Sequence, residues 1–132
     1  VTVFVDTSAL LAVLNSRDPH HRSAAAIWRE LVSGGEPLRS HTYVEVETTA
    51  VVQHRSGMSA VRALHEDLFP VVSRRHVDAA LHGQALAGLF AANRRTLSLV
   101  DWTSFEMMRQ EGIIEAFAYD SDFDEQGFTL RS

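Results

Sequence analysis

A few of this chain's acids stand where chemistry would need them. Asp6 closes the apolar run Val1 to Val5 and is followed at once by Thr7-Ser8. Asp120 closes a second run, Glu115 to Tyr119. Asp101 follows Leu97-Ser98-Leu99-Val100 at the start of a helical segment, and Glu45 and Glu47 lie near the start of another. Asp120, Asp122 and Asp124 alternate in one short stretch. Carboxylates gathered on one edge repel, and their pKa values rise unless a cation sits among them. An all-oxygen donor set favours a hard ion, Mg2+ or Mn2+, over zinc. The chemistry such a set could do is metal-assisted.

Each acid also has a structural reading. Asp6 is placed to cap the helix that follows it. Ser98-x-x-Asp101 has the capping-box spacing, and an acid in a first turn suits the helix dipole. Glu45 and Glu47 are about 200° apart on a helix, so only one of them can face a given site. Val44, Val51 and Val52 form an apolar stripe between them, and periodicity does not choose. The stretch from Asp120 begins like a calcium loop, but Glu125 stands where that loop needs Gly and Arg131 where it needs an acid. An acidic surface loop is the other reading of Asp120 to Gly127.

The remaining composition mainly excludes. The chain has 132 residues, 45% of them hydrophobic, which suits one domain spanning 1–132 with a real core. Without cysteine there is no disulfide framework and no thiolate metal site. The seven histidines form no H-E-x-x-H pattern, and His20-His21 read as surface or packing residues. No G-x-S-x-G elbow, P-loop or G-x-G-x-x-G is present. The formal charge is −5, and all 12 bases are arginine. An acidic chain is a poor general nucleic-acid binder, so action on a phosphodiester would need a cation to offset its acids. No apolar run is long enough to span a bilayer, and no charged n-region precedes Val1. A cytoplasmic protein with no membrane partner is expected.

The elements that must position these acids alternate. Strands are expected at Val1 to Val5, Pro37 to His41, Val71-Val72, Glu115 to Tyr119 and Phe128 to Leu130. Helices are expected over Thr7 to Leu14, His20 to Ser33 and Thr42 to Arg55, then from Ser59 to just before Pro70, over Val77 to Asn93, and from Asp101 to Glu111. Alternation of this kind argues for a parallel sheet covered by helices on both faces. Asp6 and Asp120 then end strands on the same carboxyl edge, where open α/β sheets place their ligands.

Taken in order, Val5-Asp6-Thr-Ser-Ala-Leu, Tyr43-Val-Glu-Val-Glu47-Thr, Leu97-Ser-Leu-Val-Asp101-Trp and Ala118-Tyr-Asp120-Ser-Asp122-Phe resemble the PIN-domain ribonucleases, and most of all the VapC toxins of toxin–antitoxin pairs. The resemblance covers nearly the whole chain. It implies a PIN-like three-layer α/β/α sandwich around a parallel sheet of four to five strands. It also implies metal-dependent cleavage of RNA, usually by a homodimer, restrained by an antitoxin partner bound at or near the acidic pocket. Carried over by position, Asp6, Glu47, Asp101, Asp120 and Asp122 would be the catalytic acids, and the first four would hold Mg2+ or Mn2+. Asp122 falls where members carry varied polar residues. Thr7 or Ser8 would support Asp6 through its hydroxyl, and Glu45 has no counterpart. Two other classes compete: a non-catalytic PIN-like module that binds RNA or protein, and a phosphatase of the haloacid-dehalogenase kind. The latter needs a second acid where Ser8 stands.

Overall fold

In the computed structural model, which describes residues 1–132, Val3, Phe4 and Val5 are completely buried. An apolar run without alternation is what a strand covered on both faces requires. This strand, β1 (Val3–Val5), lies at the centre of one sheet with β2 (Leu38–His41), β3 (Val72–Arg75), β4 (Glu115–Phe117) and β5 (Thr129–Arg131). The order is β3-β2-β1-β4-β5, and every pairing is parallel. The chain moves outward from β1 through β2 to β3, then crosses back to β4 on the other side of β1. Adjacent strand ends at such a reversal open a crevice at the carboxyl edge.

Seven helices cover the sheet: α1 (Thr7–Leu14), α2 (His21–Ser33), α3 (Thr42–Ser56), α4 (Met58–Ala63), α5 (Ala79–Ala92), α6 (Leu99–Glu111) and α7 (Asp122–Glu125). Right-handed crossovers running first one way and then the other place α1 to α4 on one face and α5 to α7 on the opposite face. The result is the expected α/β/α sandwich, with the strand count at five. Helices α5 and α6 approach closely because Gly88 lies against Trp102; a Cβ on Gly88 would sit 2.8 Å from the indole.

Several boundaries differ from the sequence reading. The third strand is Val72–Arg75, not Val71-Val72. It is an edge strand paired only to β2, so its outer residues need not be apolar. The helix expected up to Pro70 breaks after Ala63 into a π-helical turn, Leu64–Leu68, and a 3-10 turn, Phe69–Val71, which takes in Pro70. The last strand is shifted by one residue, because Phe128 turns into the core instead of pairing. The stretch Asp120 to Gly127, expected as a loop, contains the helical turn α7. Phe123 is the reason. It is fully buried, with its ring 5.1 Å from Phe105 and 6.0 Å from Phe4, and so pins the turn to the core.

Candidate active site

Asp6 leaves the end of β1 and caps α1. Its Oδ2 accepts from the Ser8 amide at 3.1 Å and the Ser8 hydroxyl at 2.6 Å. The same hydroxyl accepts from the Tyr119 amide at 3.0 Å, which ties the end of β1 to the residue before Asp120. The Asp6 amide bonds the Phe117 carbonyl at 3.1 Å, continuing the pairing of β1 with β4 past the strand end. Burial pushes the Asp6 carboxyl up to about 6, opposed by the Ser8 hydrogen bonds and reinforced by the charges of Asp101 and Asp120.

Asp101 lies in the first turn of α6, and its capping box is complete. Asp101 Oδ2 accepts from the Ser98 amide at 2.9 Å and the Ser98 hydroxyl at 3.1 Å, while Ser98 Oγ accepts from the Asp101 amide at 3.1 Å. Burial raises its pKa, against the Ser98 bonds and with a further push from Asp120. Both Asp6 and Asp101 therefore spend one oxygen on a helix start. All their hydrogen bonds fall on Oδ2.

The structure separates Glu45 from Glu47. Arg74 on β3 holds the Glu45 carboxylate at 2.9 Å, and the His65 ring stands 3.9 Å from it. Glu47 is half-buried on the opposite flank. Burial raises its pKa, the Thr7 hydroxyl counters this by donating to it, and Asp101 adds repulsion. Thr7 in turn accepts from the buried Thr48 hydroxyl at 3.0 Å. The hydroxyls after Asp6 thus divide: Ser8 serves Asp6, whereas Thr7 serves Glu47.

Asp120 Oδ1 accepts from the Asp122 amide at 3.0 Å. Asp122 is pushed up to about 6 by burial, by hydrogen bonding to the Asp120 carboxylate, and by the charges of Asp120 and Glu125, while Arg94 opposes the rise. Arg94 lies 3.7 Å from Asp122 and 3.6 Å from Glu125. Asp124 is exposed.

Asp6, Glu47, Asp101, Asp120 and Asp122 thus form one electrostatic group drawn from β1, α3, α6 and the β4–α7 connection. The oxygen-only donors suit a hard divalent cation, which would relieve their mutual repulsion. They are not a closed cage: no three His, Asp or Glu side chains gather tightly enough to grip an ion. The acids expected as ligands come from neighbouring elements but are not pre-assembled, and hydrogen bonds from Ser8 and Ser98 orient Asp6 and Asp101 separately. The acids line an open edge. The surface hollows lie elsewhere, between α1, α3 and α4 and beside Arg74.

The sequence reading missed His41. It is completely buried at the end of β2 and caps α3, the helix that carries Glu47. Its Nδ1 accepts from the Val44 amide at 3.3 Å, so Nε2 carries the proton and donates to Ser104 Oγ on α6 at 2.8 Å. Burial, with Arg75 nearby, pulls its pKa down to about 3. The sequence signal was a histidine directly before a helix start.

A sheet reversal with four acidic elements at its carboxyl edge is the architecture of a small nuclease domain. Residues 3–128 match the PIN domain, and the chain belongs to that family. It is 38% identical over 127 residues to the 23S rRNA-specific endonuclease VapC20 of Mycobacterium tuberculosis, covering 96% of this chain and 95% of the relative. The crystal structure of Mycobacterium tuberculosis VapC20, described as a sarcin-ricin loop cleaving toxin, superposes with a TM-score of 0.84 at 35% identity over 96% of each chain. FitAcB from Neisseria gonorrhoeae shares the fold, with a TM-score of 0.69 at 13% identity, covering 98% of this chain and 96% of that one. Membership of the PIN family removes the phosphatase alternative, and Ser8, in the position of the second acid, is committed to Asp6. No helix is long and apolar enough to cross a membrane.

Proposed function

We propose that the chain is a metal-dependent endoribonuclease and the toxin of a toxin–antitoxin pair, with the sarcin–ricin loop of 23S rRNA as its substrate. The supporting observation is the convergence of Asp6, Glu47, Asp101 and Asp120 from four separate elements, each of the first three with its pKa raised in part by another acid of the group. Near-full-length similarity to VapC20 supports the substrate.

Asp6, Glu47, Asp101 and Asp120 would hold Mg2+ or Mn2+. That ion would supply a water of lowered pKa and offset charge on the phosphate. The chain's own part is orientation. Ser8 and Ser98 fix Asp6 and Asp101 by one oxygen each, and the other oxygen, which accepts no hydrogen bond, would be the one offered to the ion. The Thr7 hydroxyl opposes the rise in the Glu47 pKa, and Glu47 or Asp122 would orient the attacking water. The Asp122 amide, donating to Asp120 Oδ1 at 3.0 Å, would steady that carboxylate. The partners are the RNA, a cognate antitoxin that covers the acidic edge, and a second copy of the chain. The setting is cytoplasmic.

The test is cleavage of 23S rRNA with Mg2+ or Mn2+ titrated in, scored for new chain ends. Asp6→Asn and Asp101→Asn should each lose at least about a hundredfold in rate while remaining folded. Wild-type cutting by Asp6→Asn would refute the assignment. RNA retention without new ends would indicate a non-catalytic module.

A further inference from the structure

The ring of His20 stacks on Tyr119 with 4.3 Å between centroids and 14° between planes. Nothing in the acid chemistry requires this pair, yet it adjoins the site. The Tyr119 amide donates to Ser8 Oγ, and that hydroxyl donates to Asp6. Asp120 is the next residue. The stack is also firmly held. The Ser23 hydroxyl hydrogen-bonds the Tyr119 phenol, the His20 amide donates to Asp18 at 2.8 Å, and the His21 ring bonds the Ala12 carbonyl at 2.8 Å.

His20 occupies the position before α2 where a Ser, Thr, Asp or Asn would cap the helix, and its side chain makes no capping bond. One face of the ring is covered by Tyr119, while the residue remains exposed to solvent. Charge points the same way. Six arginines (Arg39, Arg74, Arg75, Arg94, Arg109 and Arg131) lie within 4.0 Å of an acid. Arg17 and Arg22 do not; both are exposed and bracket His20, and the one acid between them, Asp18, is engaged with the His20 amide. A rigid exposed ring between free cations is the arrangement that receives an unpaired base and its phosphates.

We propose that His20, seated on Tyr119, is a stacking platform for a nucleobase beside the phosphodiester that is cut. The inference rests on the ribonuclease reading and adds a base subsite to it. The substrate for the test is a synthetic hairpin carrying the 23S rRNA sarcin–ricin loop, made intact and with an abasic riboside at each loop position in turn. The proteins are wild type, His20→Ala and His20→Trp, checked for equal melting temperatures. His20→Ala should lose about tenfold in kcat/KM on the intact hairpin, and one abasic position should cost wild type about the same. At that position the alanine variant should lose nothing further, and His20→Trp should restore the wild-type pattern. Wild-type cutting of the intact hairpin by His20→Ala would overturn the platform, as would losses that multiply at every abasic position. If the wild-type protein cuts no RNA at all, the ribonuclease reading fails and the platform falls with it. If it cuts and the coupling is absent, only the platform fails.

Discussion

Replacing Asp6 with Asn should destroy activity and stabilise the fold. Asp6 is 6% exposed, and burial lifts its pKa from 3.8 to about 6. A shift of that size makes the ionised form cost the folded state about 3 kcal/mol at neutral pH. The sign follows from proton uptake. Between 3.8 and about 6 the folded protein holds a proton that the unfolded chain has released, so stability falls as pH rises through this window and stays low above it. Asparagine removes the charge but keeps an oxygen able to cap α1, so most of the cap survives. The expected gain is about 1–3 kcal/mol at pH 7.5, or a rise in Tm of roughly 4 °C per kcal/mol for a chain of this size. Urea unfolding at pH 7.5 and pH 4, with chelator present and tryptophan fluorescence as the signal, checks it. Most of the gain should vanish at pH 4. An Asn variant no more stable than wild type at pH 7.5, or equally favoured at both pH values, would refute the claim that an unrelieved buried charge resides at Asp6.

Other perturbations have equally direct readouts. His41 titrates in the opposite sense: folded near 3 and unfolded near 6.5, it removes stability as pH falls through that interval. A His41→Gln variant should show a flatter fall in urea midpoint between pH 6 and pH 4 than wild type. Gly88→Ala should destabilise by about 1–3 kcal/mol, because the new methyl meets the Trp102 ring at 2.8 Å in a packed interface; a melt that matched wild type would show that α5 and α6 can part freely. Ser98→Ala should cost about 1 kcal/mol as a lost cap and lower RNA cleavage several-fold, since Asp101 keeps only the backbone half of its restraint. A loss of stability with no loss of cleavage would confine Ser98 to capping.

The alternation of elements and the positions of Asp6, Asp101 and Asp120 were readable because they depend on local rules. Strand β1 announces itself by an unbroken buried run, and Asp101 by a serine three residues earlier. The features that escaped depend on neighbours distant in sequence. The stripe on α3 allowed either Glu45 or Glu47 to face inward, and Arg74 on β3, which draws Glu45 aside, cannot be seen from α3 itself. Likewise the environment of Thr48 is set from outside its own helix. The residue is completely buried because Thr7, 41 residues earlier, accepts its hydrogen bond. The turn α7 hides among charges and exists because one phenylalanine, Phe123, is inserted between Phe4 and Phe105.

For Asp6 and Asp101, the helix cap does not compete with the proposed role as site acids, because every capping bond falls on one oxygen of each carboxylate. Oδ2 satisfies the amides and hydroxyls of a helix start, and those same bonds favour the charged form. Burial and neighbouring acids favour the neutral form. The balance matters for cation capture. Without the caps, burial would carry the acids further toward protonation and leave a weak donor set at neutral pH. Without burial and mutual repulsion, the folded protein would gain little from taking up an ion. Capping therefore keeps the donors ionised while crowding keeps them in need of a counter-charge. Removing the Ser8 hydroxyl should accordingly weaken Mg2+ binding more at pH 6 than at pH 8, since at the lower pH the ion must first displace a proton from Asp6.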